Sequence, residues 1–334
     1  MRDSQMRSLV TVPLCAVLLL GSLSACSSAD AQPETQSSEE AAPSSHTVTT
    51  AYGEVEIPSD PQRVVAVSYN TPWQLEAVDI TPVAMQDYSA FADSFTVEQQ
   101  ELIAGMENTV GGFFELNVEA VMAAKPDLIV GDVLEIDEKT FQELSKIAPT
   151  AIFEGESRGD WRTIGAGIAE AVGRTEVFEQ SRSSYDAELA RIKSTYAQVL
   201  KQPWAAIASG DVEGGFSTLY PGGEVGALFF DDLGANLAAS IPEEAEGDRG
   251  WMYISPELTT SVLDGAEIIV AAASADGELP EDLAGTVKSK LFTDLPAAKE
   301  GNVYQVYSSV TDYATASDWL STVEQDVLQP ASAK

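Results

Sequence analysis

The apolar positions of this chain fall into short runs of two kinds. Residues 64–67, 128–130, 151–153, 205–208 and 268–272 are continuous and rich in Val, Ile and Ala, which predicts buried strands, and 303–306 reads as a further strand. Residues 83–85 predict one more short strand, and 47–50 with 54–57 alternate like a hairpin turning at Tyr52-Gly53. Between the runs, apolar residues recur at helical spacing in 71–78, 118–124, 138–147, 161–172, 228–233, 256–263 and 316–328. Thr71-Pro72 and Asn117 supply start signals, and Lys125-Pro126 a stop. Residues 86–116 read as a polar and aromatic loop.

One helical pattern is longer than the rest. From Thr175 to Lys201 no breaker occurs, and Val177, Tyr185, Leu189, Ile192, Tyr196 and Leu200 mark an apolar face. Thr175 is placed to cap it, with Glu176 and Glu179 in the first turn and Lys193 and Lys201 towards the end. Such a rod measures roughly 39 Å at 1.5 Å per residue. Strand-and-helix alternation lies on both sides of it. The segments also echo one another: Asn117-Val118-Glu119 leads through a short helix into Asp127-Leu-Ile-Val, and Ser255-Pro256-Glu257 into Glu267-Ile-Ile-Val. The prediction is an α/β protein of two Rossmann-like lobes joined by one long rigid helix, with a ligand cleft between them at the carboxyl ends of the strands.

The first residues belong to neither lobe. Arg2 and Arg7 precede an apolar stretch from Leu9 to Leu20, and Leu23-Ser24-Ala25-Cys26 follows. This resembles a bacterial lipoprotein signal, in which Cys26 becomes the lipid-bearing N-terminus. The twenty residues after it contain no large apolar side chain and read as a disordered tether that includes His46. The expected organisation is therefore a signal peptide at 1–25, a tether at 26–46, a first lobe at 47–160, interdomain helices at 161–202 and a second lobe at 203–334. With Cys15 in the removed segment, a disulfide is excluded.

Charge narrows the partners. Eighteen Lys and Arg stand against 53 Asp and Glu, a formal net charge of −35, which argues against nucleic acid and against broad contact with anionic lipid. The single histidine is His46, so the folded body has no Ser-His-Asp or Cys-His arrangement and no histidine ligand for a metal. Gly165-Ala-Gly-Ile-Ala-Glu lacks the third glycine of a dinucleotide fingerprint and reads as helix packing. Asp231-Asp232 and Glu243-Glu244 are pairs that so acidic a chain produces by chance. The expectation is a protein that is not an enzyme, with no metal or cofactor of its own.

Five segments, in this order, carry a resemblance: Gly53-Glu-Val-Glu-Ile-Pro with Pro61-Gln-Arg-Val-Val, then Asn117 to Val130, Leu144-Ser-Lys-Ile-Ala-Pro-Thr, Tyr253-Ile-Ser-Pro-Glu-Leu, and Leu295 to Tyr304. Following a lipoprotein signal, they resemble the helical-backbone (class III) substrate-binding proteins of ABC importers, of the ferric-siderophore type. The resemblance implies a monomeric, lipid-anchored receptor on the outer face of the cell membrane. It implies delivery to an ABC permease, with Glu119 and Glu257, one per lobe, docking onto permease arginines. Iron would travel inside the bound chelate. A cobalamin or haem carrier is the alternative within the family, and an extracellular enzyme or adhesin the alternative outside it.

The candidate ligand-binding residues on the expected cleft loops are Arg249, Arg158, Tyr69, Trp73, Tyr88, Phe113, Tyr220, Trp251 and Tyr313, with Phe114 and Trp161 beside them. Only two of these are cationic, while Asp87, Asp132, Asp211, Glu213 and Asp248 lie nearby. Such a cleft suits a neutral or cationic chelate, for example a ferric hydroxamate, better than a trianionic triscatecholate.

Overall fold

A computed structural model describes residues 44–155, 160–210, 213–243 and 250–334. The signal peptide, Cys26 and most of the tether lie outside the described residues, as do Arg158 and Arg249. The first described element is a hairpin of β1 (Ser45–Thr50) and β2 (Gly53–Pro58), paired antiparallel. His46 therefore belongs to a strand and not to the tether. It sits opposite Ile57, and its Nε2 lies 3.1 Å from the Glu170 carbonyl oxygen. Backbone pairing needs no apolar side chain, so composition alone places the fold's edge too late.

The first lobe continues with β3 (Val64–Ala66), α1 (Thr71–Glu76), a 3₁₀ turn at Ser89–Ser94 and α2 (Val97–Gly105). Next come β4 (Gly111–Gly112), β5 (Glu115–Leu116), α3 (Val118–Ala123), β6 (Leu128–Asp132), α4 (Glu138–Leu144) and β7 (Thr150–Phe153). Strands β3, β6 and β7 form a parallel sheet in that order, every residue of it buried. The 83–85 run makes only single bridges, one of them from Ala84 to Val65. Two helical segments, Ser89–Ser94 and α2, occupy the stretch read as loop. The start of α2 is a reciprocal capping box between Thr96 and Gln99.

Two helices link the sheets. In α5 (Trp161–Ala171), Gly165 and Gly167 let Phe178 and Phe153 approach; a Cβ on Gly167 would stand 2.4 Å from the Phe153 ring. The long helix α6 spans Thr175–Thr195, about 32 Å. It is shorter than predicted, because Tyr196 leaves helical geometry (φ −107°, ψ 23°) before α7 (Ala197–Leu200) resumes. Tyr196 donates its hydroxyl to Glu324, and Trp204 Nε1 donates to the Val199 carbonyl, so the break is held from outside the helix. Arg174, not Thr175, occupies the cap position, without a side-chain bond. The buried line is Phe178, Tyr185, Ile192 and Val199, one residue every seven.

The second lobe has β8 (Pro203–Gly210), β9 (Phe216–Leu219), a π-type turn at Leu228–Asp232, β10 (Asn236–Leu237) and β11 (Trp251–Ile254). It continues through α8 (Thr259–Leu263), β12 (Ile268–Ala273), α9 (Glu281–Lys288), α10 (Lys290–Thr293), α11 (Pro296–Lys299), β13 (Val303–Tyr307) and α12 (Tyr313–Val323). The sheet runs β11-β9-β8-β12-β13, with β8, β12 and β13 parallel and β9 antiparallel to both neighbours. The echo between the lobes holds in the hydrogen bonding: Asp127 N–H donates to the Arg63 carbonyl before β6, and Glu267 N–H to the Pro203 carbonyl before β12. One continuous apolar core joins both sheets through α5, α6 and α12, and a smaller core covers the outer face of each sheet. The chain is thus a two-lobed α/β structure with α6 as its long helix.

Candidate ligand-binding site

At the carboxyl end of β6, Asp132 N–H donates to Ser68 Oγ at 2.9 Å, which ties together the loops after β3 and β6. The next residue of the first loop is Tyr69, and three residues on in the second is Glu135. Glu135 accepts hydrogen bonds from the Tyr69 N–H and from Gln86 Nε2. Gln86 is itself buried, and its Oε1 accepts the Phe114 N–H at 3.1 Å. A buried amide and a carboxylate therefore fix the positions of two aromatic residues at the lip of the first lobe.

Phe114, with Phe113, belongs to the tight hairpin of β4 and β5. Gly111 has φ +134°, and a Cβ there would come within 1.9 Å of the Glu115 carbonyl oxygen, so no other residue fits. At the tip, Phe114 adopts φ +56°, a conformation that costs a bulky side chain on the order of 1–2 kcal/mol. Its ring is 58% exposed and stacks on Tyr69 at 5.6 Å, with Phe113 edge-on to Tyr69 at 5.4 Å. Phe91, also exposed, lies 4.9 Å from Phe113.

The opposing side comes from the second lobe. Burial pushes the Tyr69 hydroxyl up to about 12, with Tyr307, Glu224 and Glu135 acting in the same direction, which places the end of β13 and the loop after β9 near this ring. Where the lobes meet, a small cavity of about 10 Å³, room for one water-sized group, is bounded by Asn70, Gln74, Asp132 and Trp161 from one side and by Glu224 and Val310 from the other. Burial, reinforced by Glu135, raises the Asp132 carboxyl to about 6, although it accepts the Leu134 N–H at 2.9 Å. A larger hollow of about 270 Å³ lies elsewhere, between α1, α2 and the start of α12. Its most buried acid, Asp312, is committed to capping α12 through the N–H groups of Ala314 and Thr315.

The sequence candidates divide. Tyr69 and Phe113 are half-buried and stand in the aromatic group, with Phe114 beside them. Tyr88 is fully buried and donates its hydroxyl to the Tyr69 carbonyl, so it supports the site from behind; Trp73 packs against it at 5.2 Å. Tyr313 is buried among Trp161, Phe178 and Tyr185, and Tyr220 is buried with its hydroxyl on the Pro242 carbonyl. These four are core residues: a period-two or helical aromatic next to a loop looks the same in sequence whichever way its ring turns. Trp251 is 45% exposed on the edge strand β11. Arg158 and Arg249 lie outside the described residues. Glu119 and Glu257 are both exposed at the start of short helical turns, one in each lobe. The Glu257 carboxyl is held below its usual range by its own backbone N–H and by Ser255.

Sequence reasoning missed Asn70, Gln74, Gln86, Glu135 and Glu224. Each is a polar residue in a polar neighbourhood, and only the pairing of distant loops gives it a place. Asp231 and Asp232, weighed as a carboxylate pair, are structural: Asp231 accepts the Gly222 N–H, and Asp232 is ion-paired with Arg162. Among the described residues, no group of His, Cys, Asp and Glu is arranged to hold a metal ion. No helix among them is long and apolar enough to cross a membrane.

Known proteins share this architecture. The family model described as "Periplasmic binding protein" matches residues 64–310. The "Probable siderophore-binding lipoprotein YfiY" of Bacillus subtilis is 26% identical over 307 residues, covering 90% of each chain. The iron(3+)-hydroxamate-binding protein FhuD of the same organism is 23% identical over 291 residues, covering 87% of this chain and 88% of FhuD. Among solved structures, the siderophore periplasmic binding protein from the fuscachelin gene cluster of Thermobifida fusca superposes with a TM-score of 0.69 at 26% identity. That alignment covers 80% of this chain and 97% of the other.

Proposed function

The chain belongs to the periplasmic binding protein family, and on that premise we propose that it is a lipid-anchored extracytoplasmic receptor that binds a ferric siderophore and hands it to an ABC importer permease. The observation that carries this reading is the aromatic lip of Tyr69, Phe113 and Phe114, set beside the second lobe's Tyr307 and Glu224 in a chain whose relatives along nine-tenths of its length include a probable siderophore-binding lipoprotein. Flat apolar rings cover the organic skeleton of a chelate, and a few polar groups orient it. The iron needs no protein ligand when the chelate already saturates it. A single chain with one cleft suffices, so the receptor acts as a monomer, anchored through Cys26.

The charge of the described cleft supports a hydroxamate over a triscatecholate. Asp132 lines it and Glu135 stands beside that carboxyl, while Arg162, next to the lining residue Trp161, is committed to Asp232. A trianion brought there without partners would cost several kcal/mol, on the order of the penalty for an uncompensated buried charge. A tryptophan-fluorescence quenching panel of ferric hydroxamate, ferric triscatecholate, ferric citrate, cobalamin and haem tests the reading. The expected result is a ferric hydroxamate binding at least about tenfold more tightly than the triscatecholate, about 1.4 kcal/mol. Quenching by cobalamin or haem alone would replace siderophore transport by the corresponding cargo. A preference for the triscatecholate would overturn the charge argument only.

A further inference from the structure

Two acceptors on the cavity floor have no hydrogen-bond donor. Gln74 is 3% exposed, and its Nε2 donates to the Trp161 carbonyl, which fixes the orientation of the amide and leaves Oε1 without a partner. One turn earlier on the same face stands Asn70, whose Oδ1 is likewise buried and unpartnered. A cap asparagine ordinarily gives this oxygen to the N–H groups of its own helix, and Asn70 makes no such bond. Each buried acceptor left unmade costs about 1–3 kcal/mol. Both residues border the cavity that Asp132 also borders, at the meeting of the two lobes.

Three oxygen-bearing groups that only accept call for a group that only donates. A primary ammonium is about the size of a water molecule and has three N–H donors and no acceptor, so it fits a space of about 10 Å³. It would satisfy the amide oxygens and neutralise the carboxylate, and charge-assisted bonds of this kind are the stronger sort. We propose that the cavity floor is a subsite for a cationic hydrogen-donating end of the ligand, a primary ammonium, held by Asn70 Oδ1, Gln74 Oε1 and the Asp132 carboxylate. The inference rests on the siderophore reading for the body that carries the cation, and it narrows a neutral or cationic chelate to a cationic one. The burial that raises the Asp132 carboxyl is the cost such a cation offsets.

The test uses one ferric trihydroxamate with a free primary amine at its end and the same chelate N-acetylated, measured by quenching against the whole mature protein and its Asp132→Asn and Gln74→Leu variants. The wild type should bind the free amine at least about tenfold more tightly, and Asp132→Asn should reduce that preference below about threefold. Equal affinity of the wild type for both chelates, or a preference that survives in both variants, overturns the subsite. Thermal denaturation in ethylammonium chloride at low millimolar concentration decides the subsite without a siderophore. A rise in Tm for the wild type that is absent in Asp132→Asn supports it, and an identical response in the two proteins refutes it. If neither chelate quenches, the hydroxamate reading falls, and the small cation alone decides the subsite.

Discussion

Arg162, in the first turn of α5, is ion-paired with Asp232 of the second lobe, across about 70 residues of sequence. The same carboxylate accepts the Tyr185 hydroxyl of α6 at 2.7 Å, and Lys193 donates to the Asp232 carbonyl. The guanidinium lies over the Trp161 ring, 4.2 Å from its centre. One acid therefore fastens the second lobe to both linking helices at the base of the cleft. Exposures of 31% and 18% for the two side chains put the pair between a surface bridge and a buried one.

Asp232→Ala should destabilise the protein by about 2–4 kcal/mol in urea unfolding, since it strands a half-buried guanidinium and a buried phenol together. Tyr185→Phe removes one hydrogen bond and keeps the packing, so about 1 kcal/mol is expected. Equal losses for the two variants would show that the phenol, and not the ion pair, is the fastening.

Asp132→Asn should raise stability at neutral pH. The folded carboxyl titrates at about 6, above the roughly 3.9 of an unfolded chain. The folded state thus holds the proton more tightly; the stability this contributes is complete below about pH 4 and is lost as the pH rises through about 6. Each pH unit that separates the folded titration from the unfolded one is worth about 1.4 kcal/mol, so the variant should gain about 1–3 kcal/mol over the wild type at about pH 7.5 and little at about pH 4. Glu135, Tyr69, Tyr88 and Glu224 surround this carboxyl, and Glu135 is raised by burial as well. For that reason the difference between variant and wild type is the quantity to measure, and a difference flat in pH would contradict the assignment.

Glu119→Ala and Glu257→Ala should each leave ligand affinity unchanged and reduce uptake in cells. Both side chains are exposed and neither borders the cavity, so stability should change little, each acid acting only on its helix start. Full uptake by the double variant would leave the two acids with a helix-end role only.

Cys26→Ala should move the protein from the membrane fraction to the medium, with ligand affinity and Tm unchanged. The tether carries no large apolar residue that a core could use. Retention in the membrane fraction would disprove anchoring through this thiol.

Phe114→Ala should weaken chelate binding while making the hairpin no less stable. The substitution removes an exposed ring, and Ala bears the same positive φ at no greater cost. Calorimetric titration with the best ligand of the panel measures the loss, expected at about three- to tenfold. Unchanged affinity would assign the strained ring to packing on Tyr69 alone.

Local sequence was enough to specify the alternation of buried strands and helices, the long helix between two similar halves, and the capping of α3 by Asn117. Those features rest on short-range physics: runs of apolar residues, caps and breakers act within a few residues of one another. The Asp127 and Glu267 steps into their strands were legible for the same reason, since each half repeats one local grammar. Long-range contacts set the rest. The break at Tyr196 is imposed by Glu324 and Trp204, the first 128 residues on and the second in the next strand. His46 pairs into a strand because a neighbouring backbone is there to receive it. Tyr88, Tyr220 and Tyr313 turn inward, while Phe114 turns outward at the cost of backbone strain; no local pattern separates the two outcomes. The orphaned oxygens of Asn70 and Gln74 exist only because α1, the end of β6 and the second lobe meet around one cavity. A polar atom becomes costly, and so informative, only when distant parts of the chain exclude water from it.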